Sequence, residues 1–434
     1  MQAIINLMRM MMPHRLRGAA LLLAWLLLTT WLIQAPVWDE QNMLLWLARQ
    51  SFGEAWQAIW LQAPGGVVRP LPQLMVLVIW HALGGREYPA FAALRLVTAA
   101  CHGLGVFLLF SRSPGFRGAG FPREPQRFLP DLLLGAVLFS QSGLAIAGWF
   151  ATIYDAMVTL CLGLAIHCAK RRQWLGSGIC LGLGFFCKES MLLGLVILPI
   201  LGLLPDKRIE RLRLLTPLLA GMLGYAAWRQ QRIALGSAAD LHGFSLHQVS
   251  SAAYGLLAGL PFGGVPANAW LALAGCVLSL LWWWSLRAPA RLGAVLLWLF
   301  AAALYSGMLP AAGARPLIHW AHFQGRLFAL PLLLAALATL RHGRHPRQTG
   351  IMMLMTLLIP GAAFLHDHMR FQQLYRCMAI EARERHGLMV HFPEKPLEGE
   401  DLGLRIDDAP QATCRLEPWN GTLTCNGRVI CPMP

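Results

Sequence analysis

Three carboxylates in this sequence stand beside long apolar segments. Asp39 and Glu40 follow the first such run, 18–34, and Asp155 precedes a later one. A carboxylate at the edge of a membrane span can take a proton from a hydroxyl group, and a second carboxylate nearby raises its pKa toward neutral pH. Asp39, Glu40 and Asp155 are therefore the candidate catalytic residues. Asp39 and Asp155 could instead cap helices, because Asp accepts hydrogen bonds from the first backbone N–H groups.

Basic side chains stand at the same predicted membrane face, which normally carries few of them. An arginine fork or a lysine ammonium there could bind the phosphate of a lipid-linked substrate. Alternatively, each could extend its charge from a span into water or pair with a nearby acid, as Lys188 could with Glu189. The candidate phosphate-binding residues are Arg69, Arg326, Arg229, Arg95 and Lys188.

Two histidines three residues apart, His319 and His322, could share one face of a helix. No carboxylate or cysteine set accompanies them, so we predict that no metal is bound and that they hydrogen-bond to the acceptor substrate or, alternatively, pack at the membrane interface. The chain also lacks the glycine-rich motifs that hold soluble nucleotides. Chemistry on a soluble nucleotide is therefore not expected.

The overall composition indicates that these groups are positioned by the helices of a membrane protein. Of 434 residues, 56% are hydrophobic and 13% are charged, which excludes an ordinary soluble globular protein. The net charge of +15 gathers in short loops between apolar runs, so it reflects membrane topology and not nucleic-acid binding. Basic residues before the first run place the N-terminus inside and Asp39 outside.

One arrangement puts nearly all basic loops on one side of the membrane. It has about eleven spans of 14–22 residues, several of which fall short of the ~20 residues of a straight crossing. The predicted spans are 18–34, 89–110, 131–149, 156–169, 174–187, 190–204, 214–229, 269–286, 292–309, 327–340 and 351–365. Together they form a predicted transmembrane domain, 1–365.

Two segments of the first outer loop, 35–88, are predicted not to cross the membrane: 71–85 as an interfacial or re-entrant helix, and 41–62 as a helix along the surface. The segment 71–85 is too short for a straight span, and 41–62 is amphipathic with tryptophan anchors. A crossing at 71–85 would invert every later basic loop. A further long outer loop, 230–268, could serve as a lid or binding surface.

The tail, 366–434, is polar and contains four cysteines. Cys414 and Cys425 flank an Asn420–Gly421 turn, which predicts a disulfide-closed β-hairpin in an oxidising compartment. Cys377 and Cys431 are the remaining disulfide candidates. A zinc site is the alternative, although no closely spaced cysteine pair supports it.

Several short motifs resemble those of the GT-C superfamily of integral-membrane glycosyltransferases, over about residues 15–340. They are the outward acidic pair, amphipathic helices in the first loop, Arg69-Pro70-Leu71-Pro72, Tyr154-Asp155, and Cys187-Lys188-Glu189-Ser190. The resemblance is closest to the branch of the protein O-mannosyltransferases and the lipid A aminoarabinose transferases. This sequence has Arg-Pro-Leu-Pro where the lipid A branch has Lys-Pro-Pro-Leu.

The resemblance implies an all-α GT-C fold and a sugar transfer on the periplasmic face of a bacterial inner membrane. The donor would be a polyprenyl-monophosphate sugar, and the acceptor a protein such as a pilin, a surface polysaccharide or lipid A. Asp39 matches the general base, Glu40 would orient the acceptor, and Asp155 matches the second outer acid. Arg69 would bind the phosphate, with Arg326 and Arg229 as further candidates. No cofactor is needed, although some GT-C oligosaccharyltransferases use a divalent ion.

Two other classes fit a polytopic chain with charges near the bilayer. A transporter or lipid flippase usually has ionisable residues near the membrane midplane and paired halves, and neither is evident here. A ligase or polymerase of O-antigen, acting on pyrophosphate-linked glycans, would be expected to use a large later loop such as 230–268. The position of the acids favours the glycosyltransferase.

Overall fold

The computed structural model describes residues 14–31, 39–61, 69–110, 129–234, 246–264, 266, 268–306 and 325–386, with short strands between 390 and 432. This part is almost entirely helical with several apolar helices, compatible with the predicted all-α membrane class. Three segments are long and apolar enough to span a membrane: Pro89–Phe110, Ile153–Lys170 and Pro346–His366. Leu129–Leu138 and Gln141–Gly148, bent by 52°, could form a fourth. Six shorter apolar helices accompany them, and the count of about eleven spans stays a prediction.

The first apolar run forms helix α1, His14–Trp31. The segment 41–62, predicted as a single helix along the membrane surface, instead forms two helices, α2 Asp39–Ala48 and α3 Phe52–Leu61. A capping box starts the second. The backbone N–H of Ser51 donates to Glu54 Oε2 at 2.8 Å, and that of Glu54 donates to Ser51 Oγ at 3.3 Å. Helix α4 follows as Pro70–Ala82, with prolines in its first turn.

These loop helices pack against the ends of two longer helices, α5 Glu87–Phe110 and α8 Ile153–Lys170. Between them, α6 Leu129–Leu138 and α7 Gln141–Gly148 lead into a 3₁₀ turn, Phe150–Thr152. One buried cluster contains Leu47 of α2, Ile59 of α3, Leu77 of α4 and Phe91 of α5, together with Phe150. Burial of these side chains holds the first loop against the bundle.

Small residues allow the central helices to approach closely. A Cβ at Gly105 of α5 would overlap the carbonyl of Thr159 on α8. Helix α9, Trp174–Phe185, packs in the same way on α12, Arg208–Ala234, where Gly182 meets Gly221. Small residues at helix contacts are typical of membrane bundles, in which close packing replaces the hydrophobic effect.

The predicted span 190–204 is divided into two short helices, α10 Met191–Gly194 and α11 Ile197–Leu201. The bundle continues with α13 Leu246–Gly259, α14 Ala269–Trp284, α15 Ala288–Leu304 and α16 Ala329–His342. The tryptophan run at the end of α14 joins its neighbours: Trp282 Nε1 donates to Thr339 Oγ1 and Trp283 Nε1 to the carbonyl of Arg291, both at 2.8 Å.

The last helix, α17 Pro346–His386, continues through the predicted start of the tail at 366. The tail then contributes short strands β1 Val390–His391, β2 Arg405–Ile406, β3 Cys414–Glu417, β4 Thr422–Cys425 and β5 Arg428–Pro432. Strands β3 and β4 are antiparallel, and Cys414 is opposite Cys425, as the predicted hairpin requires. The side chains of Cys377, Cys414, Cys425 and Cys431 lie outside the described part.

Candidate functional site

A buried ion pair joins the start of α8 to the turn after α9. Lys188 Nζ lies 2.6 Å from Asp155 Oδ1, and the two side chains are 5% and 10% exposed. Asp155 is in the first turn of α8, and Lys188 lies between α9 and α10. Because α8 and α9 form an antiparallel hairpin, these positions meet at one end of the bundle.

The carboxylate of the next residue, Glu189, is contacted by three donor side chains from other elements. Arg69 Nη2 lies 3.4 Å from Glu189 Oε2, and Arg229 Nη1 lies 3.4 Å from Oε1. The hydroxyl of Tyr225 donates to Oε1 at 3.0 Å. Glu189 thus links the residue before α4 to the last turns of α12.

The Asp155–Lys188 pair is adjacent to the two ion pairs of Glu189. The guanidinium of Arg69 lies over the ring of Tyr154, 5.0 Å from its centroid, and Tyr154 precedes Asp155. The backbone N–H of Leu71 donates to the carbonyl of Phe186 at 3.4 Å, which fixes the start of α4 beside the turn that carries Lys188. We call Arg69, Asp155, Lys188, Glu189 and Arg229 the charged cluster.

Arg326 extends the positive side of this cluster. It lies in the 3₁₀ turn Gly325–Phe328 before α16 and interacts electrostatically with Lys188. Tyr305 lies near both Asp155 and Arg326. Among the described side chains, the charged cluster has three cations and two carboxylates, which leaves one positive charge in excess. Such an excess in a largely buried place favours an anionic ligand.

Burial and charge shift the titration of the groups in the turn after α9. Burial lowers the pKa of Lys188 to about 8 despite the attraction of Asp155. Burial acts to raise the pKa of Glu189, but Arg69, a backbone N–H, Arg229 and Tyr225 outweigh it and hold that pKa at about 2. Glu189 is therefore charged at neutral pH, whereas Lys188 loses its charge not far above it.

Four of the five predicted phosphate-binding residues lie in or beside the charged cluster. The fifth, Arg95, is buried within α5, and its guanidinium lies 4.6 Å from the centroid of the Phe91 ring. Asp39 and Glu40 are the first residues of α2, and their side chains lie outside the described part. His319 and His322 also lie outside the described residues.

Two local alternatives from the sequence are wrong. Lys188 and Glu189 do not pair with each other, since each binds a residue from another element. Asp155 does not cap its helix, because Thr152 occupies the N-cap position and the Asp155 carboxylate binds Lys188. Long-range partners have replaced the local ones.

Sequence reasoning left Glu189 and Tyr225 out of the site. One signal was available for Tyr225: it stands four residues before Arg229, on the same face of a helix. No local signal indicated that Glu189 would receive three donors. Its partners Arg69 and Tyr225 come from positions 120 and 36 residues away along the chain.

Two polar atoms of the charged cluster are buried without a hydrogen-bond partner among the described residues: Asp155 Oδ2 and Arg69 Nε. One is an acceptor and the other a donor, so both are available to a ligand. No group of three or more His, Cys, Asp or Glu side chains in the described part could hold a metal ion.

Comparison with known proteins gives no family assignment. No protein-family model, curated protein or solved structure matches this chain.

Proposed function

We propose that this protein is a glycosyltransferase of the GT-C type, which moves a sugar from a polyprenyl-monophosphate donor to an acceptor in the bacterial cell envelope. In this proposal the chain crosses the inner membrane about eleven times, and the reaction takes place on the periplasmic face. The charged cluster binds the donor phosphate, and α2 and α3 of the first loop border the acceptor side.

The observation that carries the proposal is the net positive charge of a largely buried cluster built from distant segments. Arg69, Lys188 and Arg229 converge on two carboxylates at one end of the bundle. Burying uncompensated charge is costly, and a phosphate anion would neutralise the excess of positive charge among the described side chains. A lipid phosphate is the anion that a membrane-embedded site of this kind reaches most directly.

The proposed reaction is a displacement at the anomeric carbon of the donor sugar. An acceptor hydroxyl forms the new carbon–oxygen bond, and the bond from that carbon to the phosphate oxygen breaks. The phosphate leaves with the bonding electron pair, and Arg69 and Lys188 stabilise its growing negative charge. The hydroxyl proton passes to Asp39, the residue that the family resemblance assigns as base.

The test is the release of polyprenyl phosphate from a panel of polyprenyl-phosphate sugars, with envelope extract as acceptor. We expect release from at least one donor by the wild-type protein. Asp39→Asn should lower the rate at least about 100-fold, because it removes the proton acceptor while preserving size. Asp206→Asn is the matched control, since Asp206 is exposed in a predicted inner loop and should leave the rate unchanged.

Release by Asp39→Asn at the wild-type rate would remove Asp39 as the base. No release by folded wild-type protein with any donor would overturn the proposal. A flippase or a pyrophosphate-dependent ligase would then be the better explanation of a charged cluster at a helix-end site.

Donor binding tests the phosphate site separately from the chemistry. Arg69→Ala should weaken binding of polyprenyl phosphate about tenfold or more, the effect of a lost charge-assisted hydrogen bond. Arg208→Ala is the control, because Arg208 is exposed at the opposite, predicted inner end of α12. Equal affinity of wild type and Arg69→Ala would exclude Arg69 as a phosphate ligand.

A further inference from the structure

A continuous row of aromatic rings leads from the exposed surface of the first loop to the charged cluster. Phe52 and Trp56 of α3 stack with centroids 6.1 Å apart, and Trp56 and Trp60 are 6.3 Å apart. Trp60 contacts Trp228 of α12 at 5.7 Å, and Trp228 contacts Tyr225 at 6.3 Å. Tyr225 is the residue that donates to Glu189. We call Phe52, Trp56, Trp60 and Trp228 the aromatic row.

The outer half of this row is open to the surroundings. Phe52 and Trp56 are each 43% exposed, although they are large aromatic side chains. Ala55 and Ile59 of the same helix are buried in the core of the loop, of which Phe52 and Trp56 are not a part. Large exposed aromatic surface of this kind marks a binding surface.

The row is held rigidly against the site. Trp228 Nε1 donates to the carbonyl of Trp60 at 3.3 Å, and Arg232 Nη1 donates to the carbonyl of Leu61 at 2.7 Å. These bonds fix the C-terminal end of α3 on the last turns of α12. A ligand lying on α3 would thus be presented to Tyr225 and Glu189 in a defined orientation.

The chemistry of this face fits a saccharide better than a hydrocarbon chain. A pyranose ring has an apolar face of C–H groups that packs on an aromatic ring, and hydroxyls at its edge that need polar partners. Half-buried His81 supplies such a partner, since the centroid of its ring lies 5.3 Å from that of Phe52 and its Nε2 has no hydrogen-bond partner among the described residues. An acyl chain would leave this polar group unsatisfied.

We infer that the aromatic row is a binding site for an extended saccharide, with one ring of the saccharide over each exposed aromatic side chain. The inference rests on the proposed function and narrows it: the acceptor is a glycan, and its reacting end lies toward Tyr225. The rings stand in sequence from the exposed surface to the charged cluster, so a glycan on them is directed to the donor phosphate.

The experiment is calorimetric titration of the full-length protein in lipid nanodiscs with three hexasaccharides, of α-linked glucose, α-linked mannose and β-linked N-acetylglucosamine. We expect at least one to bind, and Trp56→Ala to weaken its binding tenfold or more. Trp56→Phe keeps an aromatic ring and should stay within threefold of wild type. The matched control is Trp270→Ala, because Trp270 is 81% exposed at the start of α14 and lies outside the row.

Equal loss of binding in Trp56→Ala and Trp270→Ala, or no binding of any hexasaccharide to the wild type, would overturn the inference. Saccharide binding by Trp56→Ala that is as tight as that of the wild type would overturn it as well. The titration needs no donor. Saccharide binding without release of polyprenyl phosphate would therefore support the saccharide site and contradict the proposed glycosyltransferase activity. Release without saccharide binding would support the activity and contradict the saccharide site.

Discussion

At the scale of single residues, the charged cluster is organised by which charges are buried together. Asp155 and Lys188 are nearly inaccessible and bind at 2.6 Å, whereas the two arginines paired with Glu189 lie at 3.4 Å and are more exposed. A buried ion pair contributes little net stability, because desolvation of the two charges opposes their attraction. Replacing only one of the two charged residues is costly, because the other charge is then buried without a partner.

Lys188→Met should therefore lower the free energy of unfolding by about 3 kcal/mol, because it leaves the Asp155 carboxylate buried and unpaired. The double variant Lys188→Met with Asp155→Asn should recover much of this loss, since no charge is then stranded. Thermal unfolding in detergent measures both. A double variant less stable than the single one would contradict a direct coupling of the two side chains.

The low pKa of Lys188 predicts a pH dependence of donor binding. Its ammonium loses the proton as pH rises through about 8, well below the ~10.4 of a free lysine. Affinity for polyprenyl phosphate should thus be full below about pH 7 and fall between about pH 7 and 9. Lys188→Arg keeps its charge throughout this range, so its affinity should not fall there. An identical decline in both proteins would assign the titration to another group.

At the scale of elements, two helix contacts decide where the cluster residues lie. Helices α5 and α8 touch at Gly105, and α9 touches α12 at Gly178 and Gly182. The contact between α9 and α12 places the turn that contains Lys188 and Glu189 beside Tyr225 and Arg229. Backbone atoms face each other at these points, so neither helix can move aside for a side chain.

Gly105→Ala should lower the free energy of unfolding by about 1–3 kcal/mol, because the added methyl group would meet the backbone carbonyl of Thr159. Gly53→Ala is the matched control, since a Cβ at Gly53 of α3 would have no neighbour within 4 Å. It should be neutral or stabilising by up to about 1 kcal/mol, owing to the better helix propensity of alanine. Thermal unfolding of the two variants compares them directly, and equal effects would contradict the close contact.

The capping box of α3 makes a second prediction at this scale. Ser51→Ala removes the hydroxyl that accepts from the Glu54 N–H and should weaken the start of α3 by about 1 kcal/mol. Hydrogen exchange at the first turn of α3 should accelerate, with exchange in α12 unchanged. Unchanged protection at 52–55 would show that packing alone holds this turn.

At the scale of the whole molecule, the tail and the helical bundle present different chemistry. The bundle is apolar, whereas the tail forms short antiparallel strands with Cys414 opposite Cys425. In an oxidising periplasm we expect these two cysteines to form a disulfide. Cys414→Ser should then change the mobility of the protein on a non-reducing gel, and reduction should remove the difference. Freely reactive tail thiols in native material would contradict both the disulfide and the predicted side of the membrane.

The sequence by itself determined the class of the fold and the extent of many helices. The prediction of a span at 89–110 corresponds to Glu87–Phe110, and 269–286 to Ala269–Trp284. Apolar runs and their polar ends are local properties, so they can be read from the chain directly. The positive-inside rule makes basic residues unusual at the outer face, and on this ground the sequence indicated Arg69, Lys188 and Arg229 as candidate site residues.

Only the tertiary structure decided which of these residues meet. The sequence favoured Lys188 with Glu189, whereas the fold pairs Lys188 with Asp155 and gives Glu189 to Arg69, Arg229 and Tyr225. It also assembled the aromatic row from α3 and α12, segments that are 168 residues apart where Trp228 bonds to Trp60. The physical reason is that periodicity and composition report on neighbours along the chain. Close helix packing selects partners far apart in sequence, and the cost of burying a charge alone then makes those partners pair.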